Sequence, residues 1–139
     1  MLTQLVIGGG MIALTTAIHA GFMMAGIGLL DRWGRLVSRP GHWQATAAVA
    51  AFVLVMFAAA VVEIWCWALL FIVAGAFDAA EPAMYFTTVT FTTLGYGDIT
   101  LEPPLRTLAA ICATNGIVMF GWTTALLFAV VRRAYFPDR

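Results

Sequence analysis

The sequence predicts an all-α membrane protein, and three observations lead to that fold class. The chain of 139 residues is 63% hydrophobic and only 10% charged, a composition outside the range of soluble globular domains. Three stretches are long and apolar enough to cross a bilayer core, which takes ~20 helical residues. A shorter segment rich in threonine and glycine lies between the second and third stretches. We therefore expect three transmembrane helices, a short re-entrant helix and one irregular strand.

The first apolar stretch, Leu2–Leu30, carries no charge and predicts a transmembrane helix over residues 1–30. It has no basic region at its start, and it is longer than the ~7–15 apolar residues of a secretory signal. We therefore expect it to be retained. Its glycines at 8–10, 21, 26 and 28 predict close packing on the second helix at the periphery of the protein. It lacks the regularly spaced arginines of a voltage sensor.

The placement of arginines predicts the orientation in the membrane. One group lies in the predicted loop 31–43 and the other in the predicted tail 132–139: Arg32, Arg35 and Arg39, then Arg132, Arg133 and Arg139. Arginine-rich loops stay in the cytoplasm, which leaves the N-terminus outside. The segment between the second and third stretches, which contains Asp78, Glu81, Asp98 and Glu102, is then also outside.

The second and third stretches predict helices over residues 44–77 and 104–131, and each contains one notable polar residue. Glu63 is the only charged residue between Ala45 and Phe77. Counting helical rise from the outer ends places Glu63 and Asn115 at similar depths of ~16–18 Å. Because buried ionisable residues usually have a partner, we expect a Glu63–Asn115 hydrogen bond with Glu63 at least partly protonated. Counted from the cytoplasmic ends, His19 lies ~16 Å deep and Glu63 ~28 Å deep, which argues against a direct pair. His19 is therefore expected to be a neutral packing residue. Glu63 acts either as an interhelical clamp or as a proton-sensitive gating element.

A short helix is predicted over residues 82–92, because Pro82 suits the first turn of a helix and Glu81 favours its positive end. About three turns cannot span a bilayer, so this helix must re-enter the membrane with its C-terminus pointing inward. An ordinary extracellular loop is the alternative. It fits badly, because the segment is polar only through its hydroxyl groups.

The strand that follows, Thr93-Leu94-Gly95-Tyr96-Gly97-Asp98, is the most informative segment of the chain. Successive backbone carbonyls can point the same way only if the backbone handedness alternates, and glycine adopts left-handed φ at little steric cost. Gly95 and Gly97 have the spacing that such a strand needs. Rings of carbonyl oxygens of this kind replace the water shell of a potassium ion.

Residues Tyr85–Gly121 resemble the pore-domain family of tetrameric potassium channels of the small bacterial kind, and the similarity extends over about residues 45–131. The resemblance implies a pore domain over 44–131, with residues 93–98 as the selectivity filter. Carbonyls of Thr93, Leu94, Gly95 and Tyr96, together with the Thr93 hydroxyl, would bind potassium. The Tyr96 side chain would point away from the pore and pack against the pore helix, and Asp98 would lie at the outer mouth.

Two positions depart from the pattern of that family. Leu94 stands where valine is usual, with a side chain expected behind the strand. Val89 stands where some members carry a glutamate that pairs with the aspartate of the filter. Asp98 therefore needs another partner, and the Tyr85 hydroxyl is the candidate. We expect a filter that changes its conformation easily if that bond is lost.

On the third helix the resemblance implies a cavity-lining face. Ile117, Phe120, Thr124 and Phe128 recur at intervals of three and four residues and share one side. Phe128 is the candidate for an apolar gate, and Phe128→Ser should raise resting conductance. Gly116 matches a hinge glycine of related channels, but a small residue that permits close helix packing is an equal alternative.

The sequence thus predicts a homotetrameric subunit that conducts K⁺ passively across the cell membrane of a bacterium. K⁺ is the permeant ion, membrane lipid is the other partner, and no cofactor, nucleotide or nucleic acid is expected. Cys66 and Cys112 are expected to be inert packing thiols, and no catalytic constellation suggests an enzyme. The alternatives are a weakly selective monovalent cation channel and a non-conducting regulatory membrane subunit.

Overall fold

The computed structural model describes residues 2–36, 41–103 and 105–135, and these residues form four helices. They are α1 (Leu2–Leu36), α2 (His42–Val73), α3 (Ala80–Phe91) and α4 (Arg106–Tyr135). Helices α1, α2 and α4 have 30 to 35 residues each, so at 1.5 Å per residue they are ~45–53 Å long and exceed a bilayer core. Helix α3 has 12 residues and is too short to span. The predicted all-α architecture with three spans is confirmed.

The first helix and the loop after it differ from the prediction. Helix α1 continues through Asp31 and Gly34 to Leu36, because one interior glycine costs only about 1 kcal/mol. Helix α2 begins at His42, where the Gln44 side chain accepts a hydrogen bond from the Gly41 backbone N–H at 2.8 Å. Within the predicted loop 31–43, residues 37–40, including Arg39, lie outside the described residues.

Helix α2 ends four residues earlier than predicted, and Gly75 is the reason. The backbone N–H of Gly75 donates to the Ile72 carbonyl, and that of Ala76 donates to the Phe71 carbonyl. Gly75 itself has φ +75°, which completes a glycine-terminated helix end of the Schellman type. The outer helix therefore stops at Val73, and a short turn leads to α3.

The remaining helix ends shift by one to four residues. Helix α3 begins at Ala80, so Pro82 is the third helical residue, where a missing backbone N–H still breaks no helical hydrogen bond. Helix α4 begins at Arg106, two residues after the predicted start at Pro104, which lies outside the described residues. It continues to Tyr135, so Arg132 and Arg133 belong to its last turn, where they favour the negative end of the helix dipole. Residues 136–139 of the predicted tail lie outside the described residues.

The helices pack into one bundle with two apolar clusters. At one end of the bundle, α3 packs against both α2 and α4, and Trp67, Phe71, Phe91 and Cys112 are fully buried there. At the other end, Phe52 and Met56 of α2 pack against side chains of α1 and α4. Within an apolar stretch of 18 residues in each span, only 17–22% of the residues are buried within the chain, so most of that apolar surface is left for lipid or for other chains.

Two of the glycines in α1 permit close contact, as predicted, but with two different helices. A Cβ on Gly26 would lie 2.9 Å from the Phe52 ring on α2. A Cβ on Gly8 would lie 2.7 Å from the Ile111 side chain on α4. The other α1 glycines named above have nothing within 4 Å of an added Cβ. Helix α1 therefore packs against both α2 and α4, and not only against the outer helix.

Candidate functional site

The segment after α3 has the alternating backbone that the sequence predicts. Thr93, Gly95 and Gly97 have φ values of +60°, +57° and +78°, and no other residue between α3 and α4 in the described part has positive φ. The sign of φ thus alternates along five residues. Such alternation turns successive peptide planes so that their carbonyl oxygens can converge on one side. The segment is extended without pairing to another strand in the described structure.

Thr93 was missed as a left-handed residue by the glycine pattern alone. A β-branched residue at positive φ is a genuine outlier, and such conformations cost about 1–3 kcal/mol and concentrate at functional sites. The only sequence signal for the positive φ of Thr93 is its position two residues before Gly95, which extends the two-residue spacing of Gly95 and Gly97.

The start of the alternating segment is tied to the C-terminal end of α3. The Thr93 N–H donates to the Thr90 carbonyl at 3.0 Å, and the Gly95 N–H donates to the Val89 carbonyl at 3.2 Å. The Thr92 hydroxyl donates to the Thr88 carbonyl at 2.7 Å. These bonds hold the first turn of the segment at the negative end of the α3 dipole, which favours a cation in front of it.

The side chains of the segment point away from the packed core of the chain. Leu94 is 56% exposed and Tyr96 is 67% exposed. The expected packing of Tyr96 against a pore helix is therefore not completed inside one chain.

Asp98 has the partner that the sequence predicts, because the Tyr85 hydroxyl donates to its Oδ2 at 2.6 Å. This bond lowers the pKa of the Asp98 carboxyl below its ordinary 3.8. It also raises the pKa of the Tyr85 phenol above its ordinary 10.0. Val89 is buried on the same short helix and provides no polar group behind the segment. Tyr85 is thus the side chain that connects α3 to the outer end of the segment.

Gly116 is in backbone contact with α3. A Cβ at this position would lie 1.8 Å from the carbonyl oxygen of Phe91, the last residue of α3. Only a glycine permits this approach, which places the end of α3 directly on α4. Of the two alternatives for Gly116, the packing role is therefore present in the structure, and the hinge remains a prediction.

The predicted face of α4 is open in the single chain. Ile117 is 60% exposed and Phe128 is 71% exposed, and Thr124 is exposed between them. Phe120 is less open, because its ring contacts the ring of Phe91 at a centroid distance of 5.8 Å. The face is available to line a shared cavity, and the gating role of Phe128 stays a prediction.

The predicted Glu63–Asn115 hydrogen bond was wrong. Glu63 Oε1 lies 2.9 Å from His19 Nδ1, and Asn115 Nδ2 donates to Thr15 Oγ1 at 2.8 Å. The observed partners of Glu63 and Asn115, His19 and Thr15, are both on α1, which packs against α2 and α4.

The expectation that His19 lies too far from Glu63 was also wrong, because helix ends were misplaced. Counted from Leu36 instead of Leu30, His19 lies ~25 Å from the C-terminal end of its helix. Counted from His42, Glu63 lies ~32 Å from the same side. Two side chains of this length bridge the remaining difference.

Among the described residues, no group of three histidine, cysteine or acidic side chains could hold a metal ion. The backbone carbonyls of the alternating segment and the Thr93 hydroxyl are oxygen atoms that could bind a cation. Hard cations prefer oxygen ligands, and carbonyls supply them without adding fixed charge.

The fold and this segment together define a multi-pass membrane protein whose short re-entrant helix presents an irregular backbone between two spans. A family model described as an ion channel matches residues 50–133, which is more than half of the chain. The chain belongs to this ion channel family. Comparison with curated proteins and with solved structures found no match. The family match begins inside α2, so α1 lies outside it.

Proposed function

We propose that the protein is a potassium-selective channel in which four chains meet around one axis and the 93–98 segment of each forms the filter. The observation that carries the proposal is the alternation of φ at Thr93, Gly95 and Gly97. It supports stacked rings of carbonyl oxygens from Thr93 to Tyr96, with the Thr93 hydroxyl at the inner end. Potassium, as the permeant ion, would exchange its water shell for these rings.

The exposed side chains support the fourfold assembly. One chain supplies one filter segment, and a closed ring of carbonyls needs several around an axis. Tyr96, Leu94 and Phe128 are each more than half exposed in one chain, so their surfaces are open to neighbouring chains or to a shared cavity. Neighbouring subunits would cover Leu94 and Tyr96, and the α4 face of Phe128 would line the cavity.

The charge pattern supports the orientation. The described ion pair between Arg133 and Asp31, at 2.8 Å, joins the end of α4 to the end of α1 on the arginine-rich side. That side would be cytoplasmic. The filter and the carboxylates around it would then be at the outer surface, where they raise the local concentration of cations.

The proposal is tested by the reversal potential of purified protein in planar bilayers, with potassium on one side and sodium on the other. We expect the potential to follow the potassium gradient. A potential that follows sodium equally would favour a weakly selective cation channel. The absence of any current from the purified protein would favour a non-conducting subunit.

Gly97→Ala tests the role of the backbone in the same recordings. Alanine at φ +78° is strained by about 1–2 kcal/mol, so we expect loss of selectivity or of current. Gly10→Ala is the control, because a Cβ there meets nothing within 4 Å in a regular helix. Equal selectivity in Gly97→Ala and Gly10→Ala would contradict the proposed filter.

A further inference from the structure

A buried polar contact joins the three long helices near the middle of the bundle. His19 on α1 faces Glu63 on α2, with 2.9 Å between Nδ1 and Oε1. The other ring nitrogen, Nε2, lies 3.2 Å from the Thr123 hydroxyl on α4. The side chains of His19 and Glu63 are 1% and 0% exposed, so water does not screen this contact. His19 is therefore in hydrogen-bond contact with both α2 and α4.

The surroundings of the pair are almost entirely uncharged. From α4, the Trp122 ring packs on the imidazole at a centroid distance of 5.0 Å. From α2, Cys66 lies within electrostatic reach of Glu63. From α1, Thr15 lies one helical turn before His19 and accepts a hydrogen bond from Asn115 of α4. Among the described residues of these three helices, the other formally charged side chains lie at the helix ends.

Charge neutrality sets the number of protons that this pair can hold. With one exchangeable proton between them, the imidazole and the carboxyl are neutral together, either as two neutral groups or as an ion pair. Removing that proton leaves a buried carboxylate beside a neutral ring. Adding a second leaves a buried imidazolium beside a neutral acid. Both states place one uncompensated charge at membrane depth, which is costly.

We propose that His19 and Glu63 share a single proton across the physiological pH range and act as a clamp through which α1 positions α4. Thr123, which receives the second contact of His19, directly precedes Thr124 on the open face of α4. A movement of α4 that changes the cavity must carry Thr123 with it and break that contact. The proposal rests on the proposed channel function for its electrical readout. It assigns to α1, which lies outside the family match, a role in setting the open probability of the channel.

The first test removes the contact to α4 and keeps the pair. In Thr123→Val, a near-isosteric change, we expect the open–closed equilibrium to change by about two- to ten-fold, the range for loss of one hydrogen bond. The reversal potential should be unchanged. Thr16→Val is the control, a half-buried threonine on α1 beside Thr15. An open probability in Thr123→Val equal to that of the wild type and of Thr16→Val would overturn the positioning role.

The second test is a pH series from about 4 to about 9, which covers free glutamate and histidine and also the higher pH at which a buried carboxyl without a partner ionises. The wild type should keep a constant open probability, because the pair keeps one proton throughout. His19→Leu leaves Glu63 alone, so its open probability should become pH-dependent. Glu63→Leu in the same chain should remove that dependence again. A pH-independent His19→Leu, or a pH-dependent double variant, would overturn the shared proton.

Thermal unfolding of the detergent-solubilised protein over the same pH range gives a readout that does not require conduction. We expect a constant unfolding temperature for the wild type and for the double variant, and a pH-dependent one for His19→Leu. If His19→Leu does not fold, Glu63→Gln tests the pair, and we expect its unfolding temperature to fall. No current from any variant combined with this unfolding pattern would refute the channel and keep the clamp. Normal potassium current combined with identical pH profiles would refute the clamp and keep the channel.

Discussion

At the scale of single residues, the decisive positions are those where a local rule is broken. Thr93 adopts φ +60°, which a β-branched residue rarely does, and the hydrogen bonds of Thr93 and Gly95 to the end of α3 hold that conformation in place. The sequence predicts the glycines of the alternating segment, because glycine is the residue that adopts this geometry freely. It does not predict Thr93, because the geometry there is imposed by neighbours and opposes the preference of the residue.

The hydrogen bond from Tyr85 to Asp98 makes a prediction for the stability of the filter. In Tyr85→Phe the carboxyl of Asp98 loses its partner on α3, so the outer end of the segment is held less firmly. We expect single-channel recordings to show shorter open bursts, with the main conductance retained. Tyr135→Phe is the matched control, because it also removes a tyrosine hydroxyl, one that is hydrogen-bonded between α4 and Thr46 of α2, away from the 93–98 segment. Open bursts of wild-type length in Tyr85→Phe would contradict this role.

The same bond predicts a pH window. The pKa of Asp98 is lowered in the folded protein, so the stabilisation is present above its ordinary value of 3.8 and is lost as pH falls through the lowered pKa. The pKa of Tyr85 is raised, so the stabilisation is present below 10.0 and is lost as pH rises through the raised pKa.

Burst durations should therefore stay constant between these limits when the pH of the outer solution is varied. The difference between wild type and Tyr85→Phe should shrink at lower pH, where the carboxyl is protonated. A burst duration that changes around pH 6 or 7 in both proteins would assign the sensitivity to another group.

At the scale of elements, the contact between α3 and α4 is the most restrictive. Gly116→Ala would place a methyl group 1.8 Å from the Phe91 carbonyl oxygen, and backbone atoms cannot move aside as a flexible side chain does. We expect the free energy of unfolding to fall by about 1–3 kcal/mol, the usual effect of overpacking. We also expect potassium current to be lost.

The measurement is thermal unfolding in detergent together with potassium flux from liposomes. Gly10→Ala serves again as the control, because its added Cβ is free and alanine favours the helix. A Gly116→Ala protein with wild-type stability and flux would show that α3 does not need this close approach.

The elements also show why some helix ends and contacts could not be predicted. Hydropathy marks where a bilayer could be crossed, but helices continue into water as long as their backbone bonds are satisfied, as α1 does to Leu36. Gly75 is a readable stop signal inside an apolar run, because a glycine at positive φ commonly ends a helix. Because α1 ends at Leu36, six residues later than predicted, His19 lies farther from that end than its predicted depth. The predicted depths of His19 and Glu63 therefore differed too much to indicate their contact.

At the scale of the whole molecule, the proposed assembly would cover surfaces that one chain leaves exposed. The buried core joins α2, α3 and α4, while the alternating segment and the α4 face remain exposed. The fold class and the positive φ of Gly95 and Gly97 could be predicted from the sequence, because periodicity, length and glycine spacing are local signals. The docking of α1 could not, because it depends on long-range polar contacts that no spacing encodes.

Such an arrangement predicts that the protein is unstable or inactive as a monomer. The large side chains left exposed in one chain, Leu94 and Tyr96 among them, need neighbours. We expect native mass spectrometry of protein released from lipid nanodiscs to give four chains per particle. A dimer or a monomer that still conducts potassium would contradict the assembly.

The most direct measurement is an experimental structure of the assembly in potassium or its heavier analogue thallium, with ion density located. We expect a fourfold axis, with the carbonyl oxygens of residues 93–96 facing it and ion density between their rings. An assembly without fourfold symmetry, or one with the 93–98 segment away from the central axis, would contradict the proposed function.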